Sequence, residues 1–464
     1  MTRGARIIVS FSCCLITGLI FFGGAALERK TILAAEPSIQ LREAFVSRFR
    51  AEDEEDLHWK IMISFRTSLS GHSVGIGAYQ LEDYLQFHGR GVEYGNQGRY
   101  DQAIAEFTKT VQRNPKYGIA YYNRGTAYAR TGQPDLAISD FTQAISLNID
   151  FPPAFHNRGV VYTQTGRFEL ALADFNQALK INPYTYDESA FIGGWGAGAP
   201  SRLRTPHKPQ NAETYYMLGV VYLKQGQNDR AIGDFHKALE MDPNFAKAHC
   251  NRGVAYAIKG QFDQALSDLN KALSLNPKYS KALYMRGLVY VQQKRHDQAL
   301  ADFNKTLAIN AANDKAHYFR GILYFSQGRY DQALVDFNQV VKINPRYVEA
   351  YNNRGSILTA QGRYDQAIAD FNQALQIDPR YANAYYNRGV AYYNQSLYDK
   401  AIGDFNKCLE LDPKLTDAYF SKALALEAAG RREGAREAFA AFLRHAPPEA
   451  KDQIEQARSK IGRR

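Results

Sequence analysis

Cysteine is scarce in this sequence, which excludes a scaffold held together by disulfides. Four cysteines occur among 464 residues, and Cys13 and Cys14 lie inside an apolar N-terminal segment. Cys250 and Cys408 fall four repeats apart in the register derived below, too far for their sulfurs to bond within one molecule. Both are therefore interpreted as small buried side chains.

Signatures of metal, redox and nucleotide chemistry are also missing. The ten histidines are scattered, and neither a His-Glu-x-x-His motif nor a Cys-x-x-Cys pair occurs. Glycines cluster at 193–198, but their spacing does not match a phosphate loop, which also needs a strand before it and a helix after it. The sequence predicts a protein that is not an enzyme, with no cofactor, metal or small-molecule substrate.

A dense basic run is absent as well. The chain has 57 Lys and Arg against 47 Asp and Glu, which leaves a net charge of +10. This excess favours acidic partners or an anionic membrane surface. Because the basic residues are spread along the whole chain, no nucleic-acid partner is expected.

Charge is lacking from Ile7 to Leu27. Arg3 and Arg6 precede this apolar run, and small residues at 23–26 come near its end, which is the pattern of an export signal. The run is also close to the roughly 20 residues that span a bilayer, so a cleaved signal peptide and a retained membrane anchor both stay open. Either way the rest of the chain crosses the membrane. We expect a bacterial protein of the periplasm, or one anchored in the inner membrane and facing the periplasm.

What the sequence has in abundance is a repeat of 34 residues. With one recurring glycine set as position 8, position 20 is alanine in all ten units, position 24 is phenylalanine in nine, and position 32 is proline in eight. One step, between the third and fourth units, is lengthened by 26 residues. The recurring glycines are Gly91, Gly125, Gly159, Gly219, Gly253, Gly287, Gly321, Gly355 and Gly389.

Position 11 is usually tyrosine, as at Tyr94, Tyr128 and Tyr162. Together these columns resemble the tetratricopeptide-repeat (TPR) family, whose signature has Gly, Tyr, Ala, Phe and Pro at the same offsets. The resemblance covers 84–449 and implies an all-α fold, a right-handed α-solenoid of about ten helix-turn-helix repeats. The physics agrees, since proline at position 32 ends the second helix and glycine at position 15 makes the turn between the helices. One hairpin cannot bury both of its faces, so the units are expected to stack.

The register divides the chain into six segments. They are an export signal or anchor (1–27), a tether (28–83), repeats 1–3 (84–185), a basic insertion rich in glycine and proline (186–211), repeats 4–10 (212–449) and a polar capping helix (450–464). The insertion is expected to interrupt the stack locally. The capping helix suits the open end of a repeat array.

One column departs from the family pattern. Position 7 is arginine in eight units, and in each of these position 23 is Asp or Glu. We predict that the two side chains pair between the two helices of the unit. Because the charges are expected to be partly exposed, each pair should add only about 0–1 kcal/mol. The two units without arginine have Leu218 and Lys422 in its place.

A partner is expected along one face of the first helices, formed by positions 2, 6, 9 and 13. Asparagine at position 6 can bond both the N–H and the C=O of an extended peptide. Lysine at position 2 gives a basic stripe, and tyrosine at position 5 suits recognition. The predicted peptide-binding residues are Asn123, Asn157, Asn251, Asn353, Asn387, Lys247, Lys281, Lys315, Tyr122, Tyr284, Tyr318 and Tyr386.

The sequence therefore predicts a protein-interaction scaffold that holds an extended segment of another protein, either acidic or aromatic-bearing, in the concave groove that the TPR resemblance implies. Two alternatives stay open. One is a non-catalytic subunit of an envelope or secretion complex whose activity lies in a partner chain. The other is a protein that binds membrane surfaces through its positive charge, with the N-terminal segment as a further membrane contact if it is not cleaved.

Overall fold

Helical hairpins make up the described part of the chain. A computed structural model describes residues 83–148, 151–181, 209–448 and 450–462, and these form 21 helices and no strand. The predicted signal segment, almost all of the tether and most of the insertion lie outside these residues. The predicted all-α solenoid of ten helix-turn-helix repeats is confirmed.

Each repeat is one pair of consecutive helices. The first helices are α1 (Asp83–Asn96), α3 (Gly118–Arg130), α5 (Pro152–Gln164), α7 (Pro209–Lys224), α9 (Ala246–Ile258), α11 (Ser280–Gln292), α13 (Asp314–Ser326), α15 (Val348–Ala360), α17 (Ala382–Asn394) and α19 (Thr416–Ala428). The second helices are α2 (Tyr100–Arg113), α4 (Pro134–Leu147), α6 (Phe168–Ile181), α8 (Asn228–Met241), α10 (Phe262–Leu275), α12 (His296–Ile309), α14 (Tyr330–Ile343), α16 (Tyr364–Ile377), α18 (Tyr398–Leu411) and α20 (Arg432–His445). A final helix, α21 (Lys451–Gly462), follows the tenth pair.

The chain separates into two compact units, which we describe separately. Among the described residues the first unit spans 83–282 and the second spans 283–462, so that the boundary falls inside α11. Within the first unit, the third and fourth repeats pack directly, since α6 contacts α7 and His156 Nδ1 lies 3.0 Å from Thr214 Oγ1. The expected interruption of the stack at the insertion is therefore wrong.

The position-8 glycines let the two helices of a hairpin meet closely. A methyl group built on Gly219 would lie 2.6 Å from the ring of Phe235, and one on Gly355 would lie 2.7 Å from the ring of Phe371. Both phenylalanines are fully buried. In the tenth repeat the same position is the buried Ala423, so a side chain is accommodated there by local repacking.

The first helix is more deeply buried than its sequence pattern suggests. Positions 4, 8 and 11 share one face of the first helix at helical spacing, which predicts a buried stripe, but Tyr121 and Tyr128, at positions 4 and 11, are each only half-buried. Their rings flank the guanidinium of Arg124, whose Cζ lies 5.5 and 5.9 Å from the ring centroids. In this helix the buried positions are 3, 5, 6, 8, 9 and 10, namely Ala120, Tyr122, Asn123, Gly125, Thr126 and Ala127, because helices of its own repeat and of the neighbouring repeats cover it.

All eight predicted Arg–carboxylate pairs are present, with at least one N···O distance of 2.5–2.8 Å in each. In seven of them Nε and Nη2 of the arginine donate to different oxygens of one aspartate. The pairs are Arg90–Glu106, Arg124–Asp140, Arg158–Asp174, Arg252–Asp268, Arg286–Asp302, Arg320–Asp336, Arg354–Asp370 and Arg388–Asp404. Bidentate geometry of this kind is the strong form of the interaction.

These pairs lie deeper than the sequence suggested. The aspartate of the Arg320–Asp336 pair has 1% of its side chain exposed and its arginine 20%. Burial alone would raise the pKa of Asp268, but hydrogen bonds from Arg252 and His249 outweigh burial and hold the pKa below its ordinary value. Removing one partner of such a pair leaves the other as an uncompensated buried charge, so the substitution should lower the free energy of unfolding by about 3–5 kcal/mol. The estimate of 0–1 kcal/mol for exposed pairs applies at most to Arg90, which is 46% exposed.

Turn geometry leads to a first prediction. Eight repeats have a glycine with positive φ at position 15, but the sixth and ninth have Lys294 at φ 58° and Ser396 at φ 64°. The left-handed region costs a residue with a Cβ about 1 kcal/mol relative to glycine. We expect Lys294→Gly and Ser396→Gly each to raise the free energy of unfolding by up to about 1 kcal/mol in urea titrations. Gly328→Ala, made at the equivalent turn, should lower it, and a gain there would contradict this account.

Candidate peptide-binding surface

The five predicted asparagines do not form an exposed ladder. Each is buried, with 0–4% of its surface exposed. Their Nδ2 groups donate across the repeat junction to position 5 of the preceding repeat, as from Asn157 to the Tyr122 hydroxyl (3.1 Å) and from Asn251 to the Tyr216 hydroxyl (2.9 Å). The asparagines that do this are Asn123, Asn157, Asn251, Asn353 and Asn387.

The predicted tyrosines are the other half of this arrangement. Tyr122, Tyr284, Tyr318 and Tyr386 are 1–5% exposed, and each ring packs against the position-24 phenylalanine of its own repeat at 5.8–6.0 Å between centroids. A buried tyrosine hydroxyl needs a hydrogen-bond partner. The asparagine 35 residues later supplies it for Tyr122 and Tyr318, while Ser421 lies 3.3 Å from the Tyr386 hydroxyl.

The structure thus places the predicted asparagines and tyrosines inside the junctions between repeats, and not on an open surface. Positions 5 and 6 were interpreted separately, as recognition groups for a peptide. The signal that joins them is a spacing of 35 residues, one more than the repeat, which brings position 5 of one repeat against position 6 of the next. In the eighth and ninth repeats the same spacing pairs Asn352 Oδ1 with Asn387 Nδ2 at 2.9 Å.

Four of these asparagines still carry an acceptor with no hydrogen-bond partner among the described residues. They are the Oδ1 atoms of Asn123, Asn157, Asn251 and Asn387, all buried. A buried acceptor without a donor costs about 1–3 kcal/mol. These oxygens are sites where a donor, such as a peptide N–H, would be bound favourably if the junctions parted enough to admit it.

The predicted lysines are half-buried. Lys247 and Lys281 lie in the first unit and Lys315 in the second. We call the surface of positions 2, 6, 9 and 13 of the first helices the A face. Within the A face, positions 6 and 9 are mostly buried and positions 2 and 13 are mostly half-buried, so charged groups at 2 and 13 determine its electrostatic character.

Position 13 adds basic residues that the sequence reasoning missed. In the first unit these are Arg130 and Lys224, both half-buried. Burial lowers the pKa of Arg130, the expected result for a cation that is partly removed from water. The sequence held a signal for them, because position 13 lies on the same helix face as positions 2 and 6.

The A faces of the two units differ in charge. In the first unit the charged residues at positions 2, 6, 9 and 13 are Arg130, Lys224, Lys247, Lys281 and Glu213, a balance of four positive to one negative. In the second unit they are Lys315, Glu349 and Asp417, one positive to two negative. By these residues the A face of the first unit carries a net positive charge and that of the second unit a small net negative charge.

Groups for other kinds of chemistry are few in the described ranges. Nowhere in them do three or more His, Cys, Asp or Glu side chains meet as a metal site would require. The pentapeptide from Gly71 to Gly75 does match the Gly-x-Ser-x-Gly nucleophile pattern, but it lies outside the described residues. That pattern indicates a nucleophile only at a strand–turn–helix of an α/β sheet.

None of the helices in the described ranges combines the length and apolar character needed to traverse a bilayer.

Family models of tetratricopeptide repeats match the chain in almost every repeat. The model described as TPR repeat matches 287–328, 321–358 and 355–396. One described as Tetratricopeptide repeat matches 152–184, 212–245, 246–279 and 382–415. Three others with the same description match 88–154, 269–301 and 417–448.

Several solved structures are similar to this chain. A tetratricopeptide repeat protein from Parabacteroides merdae ATCC 43184 is 24% identical, with 59% of this chain and 98% of that one covered and a TM-score of 0.41. YrrB, described as a TPR protein with an unusual peptide-binding site, is 23% identical over 45% of this chain and 95% of its own, with a TM-score of 0.33. Pseudomonas aeruginosa pilF is 19% identical over 46% and 97%, with a TM-score of 0.41. No curated protein matches the chain.

Proposed function

Because the chain belongs to the tetratricopeptide-repeat family, we propose that it is a non-enzymatic interaction scaffold whose first unit holds an extended acidic segment of a partner protein. The observation that carries the proposal is the charge of the first unit's A face, where four basic side chains accompany one acidic one. Complementary charge of this kind steers encounter and selects partners.

The partner's backbone has a place in this arrangement. On the same face as the basic residues, the Oδ1 atoms of Asn123, Asn157 and Asn251 have no hydrogen-bond partner within the described part of the chain. An extended segment has N–H donors at regular intervals, and its acidic side chains would meet Arg130, Lys224, Lys247 and Lys281. Since the acceptors are buried, binding is expected to need a small separation of neighbouring repeats.

The test uses fluorescein-labelled twelve-residue peptides, one rich in Asp and Glu and one rich in Lys, titrated with the full chain. We expect the acidic peptide to bind. In titrations at about 0.05 and about 0.5 M NaCl its affinity should fall steeply with salt, because screening weakens exposed charge contacts. The double variant Lys224→Glu/Lys247→Glu should bind it at least about tenfold more weakly.

A matched variant controls for net charge. Lys116→Glu/Lys271→Glu makes the same change of charge at exposed residues away from the A face and should bind like the unaltered chain. Equal losses in both double variants would overturn the proposal, as would stronger binding of the lysine-rich peptide. Circular dichroism of each variant establishes that it is folded.

We also propose that the chain acts in or at the periplasmic side of a bacterial cell envelope. The support is the sequence alone: Arg3 and Arg6, followed by the uncharged run from Ile7 to Leu27. Fusing 1–83 to an alkaline phosphatase that is active only after export should give active reporter. Replacing Ile7 and Ile8 by Asp in the same fusion should abolish the activity, and an inactive parent fusion would contradict export.

A further inference from the structure

Neighbouring repeats of the first unit are usually joined by two polar ties. One runs from position 6 to position 5 of the preceding repeat, as from Asn157 to the Tyr122 hydroxyl at 3.1 Å. The other runs from the position-7 arginine to position 25 of the preceding repeat, as from Arg158 Nη1 to Thr142 Oγ1 at 2.9 Å. The same two ties join the fourth and fifth repeats, where Asn251 bonds Tyr216 and Arg252 bonds His236.

The junction between the third and fourth repeats has neither tie. Position 6 is Met217 and position 7 is Leu218, and neither side chain can donate a strong hydrogen bond. Position 5 of the third repeat is His156 in place of tyrosine, and its Nδ1 lies 3.0 Å from Thr214 Oγ1 of α7. Chain connection is also longer here, because 182–208 separates α6 from α7.

His156 is enclosed at this junction. Its surface is 2% exposed, its ring lies 5.5 Å from that of Phe175, and its Nε2 has no hydrogen-bond partner among the described residues. The charged side chains on the helices packed against α5 are Arg124 and Arg130 on α3, Asp135 and Asp140 on α4, Glu169, Asp174 and Lys180 on α6, and Glu213 and Lys224 on α7. Asp140 and Asp174 are each bonded to an arginine.

We propose that the junction between α5–α6 and α7–α8 is an acid-sensitive hinge, at which protonation of the His156 side chain parts the third repeat from the fourth. Protonation would give His156 a positive charge and a second N–H group. In the closed junction Nε2 has no acceptor among the described residues, whereas the open junction would hydrate the charged ring. The missing Asn–Tyr and Arg ties leave less to resist the opening here than at the flanking junctions.

The direction with pH follows from linkage. Burial lowers the pKa of His156 to about 4 in the closed junction, whereas a solvated histidine has a pKa near 6.5. A lowered folded-state pKa contributes stability that is fully present above pH ~6.5 and is lost as pH falls toward ~4. Between pH 7.5 and pH 5 the opening equilibrium should therefore rise by about 30-fold.

Hydrogen exchange followed by mass spectrometry on the full chain, corrected for intrinsic rates at pH 7.5 and 5, tests this. We expect about 30-fold faster opening in α5, α6 and α7 at pH 5, with α9–α10 little changed. His88 is also buried, with its pKa lowered to about 4, but it lies on α1, so its effect should be confined to the first two repeats.

Two variants make the result decisive. His156→Tyr/Met217→Asn recreates the tyrosine–asparagine tie of the neighbouring junctions and should remove the pH response of α5–α7. His156→Gln can still bond Thr214 but does not titrate, so its exchange should be independent of pH even if its stability is lower. A pH response that persists in His156→Gln, or none in the unaltered chain, would overturn the proposal.

Discussion

Replacing Asp336 by Asn should lower the free energy of unfolding by about 3 kcal/mol or more. Asp336 is fully buried, and its two carboxylate oxygens accept hydrogen bonds from Arg320 Nε (2.9 Å) and Nη2 (2.7 Å). His317 Nδ1 lies 2.7 Å from the same Oδ1. Removing the negative charge leaves a largely buried arginine without its counter-ion. Urea unfolding followed by circular dichroism, together with exchange rates in α13 and α14, measures the loss.

The fourth repeat provides the control, because Leu218 occupies the arginine position there. Burial raises the pKa of Asp234, and the hydrogen bond from Lys237 offsets only part of that rise. Asp234→Asn should therefore change stability by less than about 1 kcal/mol, because it removes a poorly compensated charge. Similar losses at Asp336 and Asp234 would show that the arginine pair is not the source of the effect.

Gly219→Ala should lower the free energy of unfolding by about 1–3 kcal/mol. The added methyl group would lie 2.6 Å from Cε1 and 2.7 Å from Cδ1 of Phe235, closer than packed atoms come without displacement. Phe235 is fully buried, so its ring can move only by disturbing the hairpin. The intrinsic helix preference for alanine over glycine, about 1 kcal/mol, reduces the loss and does not cancel it.

Gly233→Ala in the same repeat is the matched control. Gly233 also lies in a helix, but a Cβ built there has no atom within 4 Å, so only the helix preference remains. We expect it to gain about 0.5–1 kcal/mol. Opposite signs for two identical substitutions 14 residues apart would isolate the contact with Phe235. Equal signs would contradict the close-packing explanation of the position-8 glycine.

The fold was predictable because almost every repeat contains the residues that determine a helical hairpin. Ala231 and Phe235 lie one helical turn apart, proline ends most second helices, and the eightfold match of arginine with an acidic residue at position 23 identified the ion pairs. The depth of those pairs was not predictable, because burial of Asp336 depends on helices from neighbouring repeats that no single unit contains.

The candidate site was harder to predict for the same reason. Asn157 has the chemistry to hold a peptide backbone, but its Nδ2 is bonded to Tyr122 of the preceding repeat. Its position in the helix correctly predicted which face Asn157 lies on, but not that Tyr122 of the preceding repeat lies against that face. The basic residues at position 2 were found because lysine recurs there in three successive units, while Arg130 and Lys224 were missed because position 13 varies between repeats.

The 35-residue pairing has a consequence for how such an array can grow or shrink by duplication and deletion. Removing the eighth repeat would bring the Tyr318 hydroxyl against Asn387, a pairing of the same kind as the present one with Asn353. Removing the third repeat with its insertion would instead set Tyr122 against Met217, whose sulfur is a poor acceptor. Repeats of equal length are thus not freely interchangeable. A repeat fits after another only where its position-6 side chain can hydrogen-bond the position-5 side chain of the repeat before it.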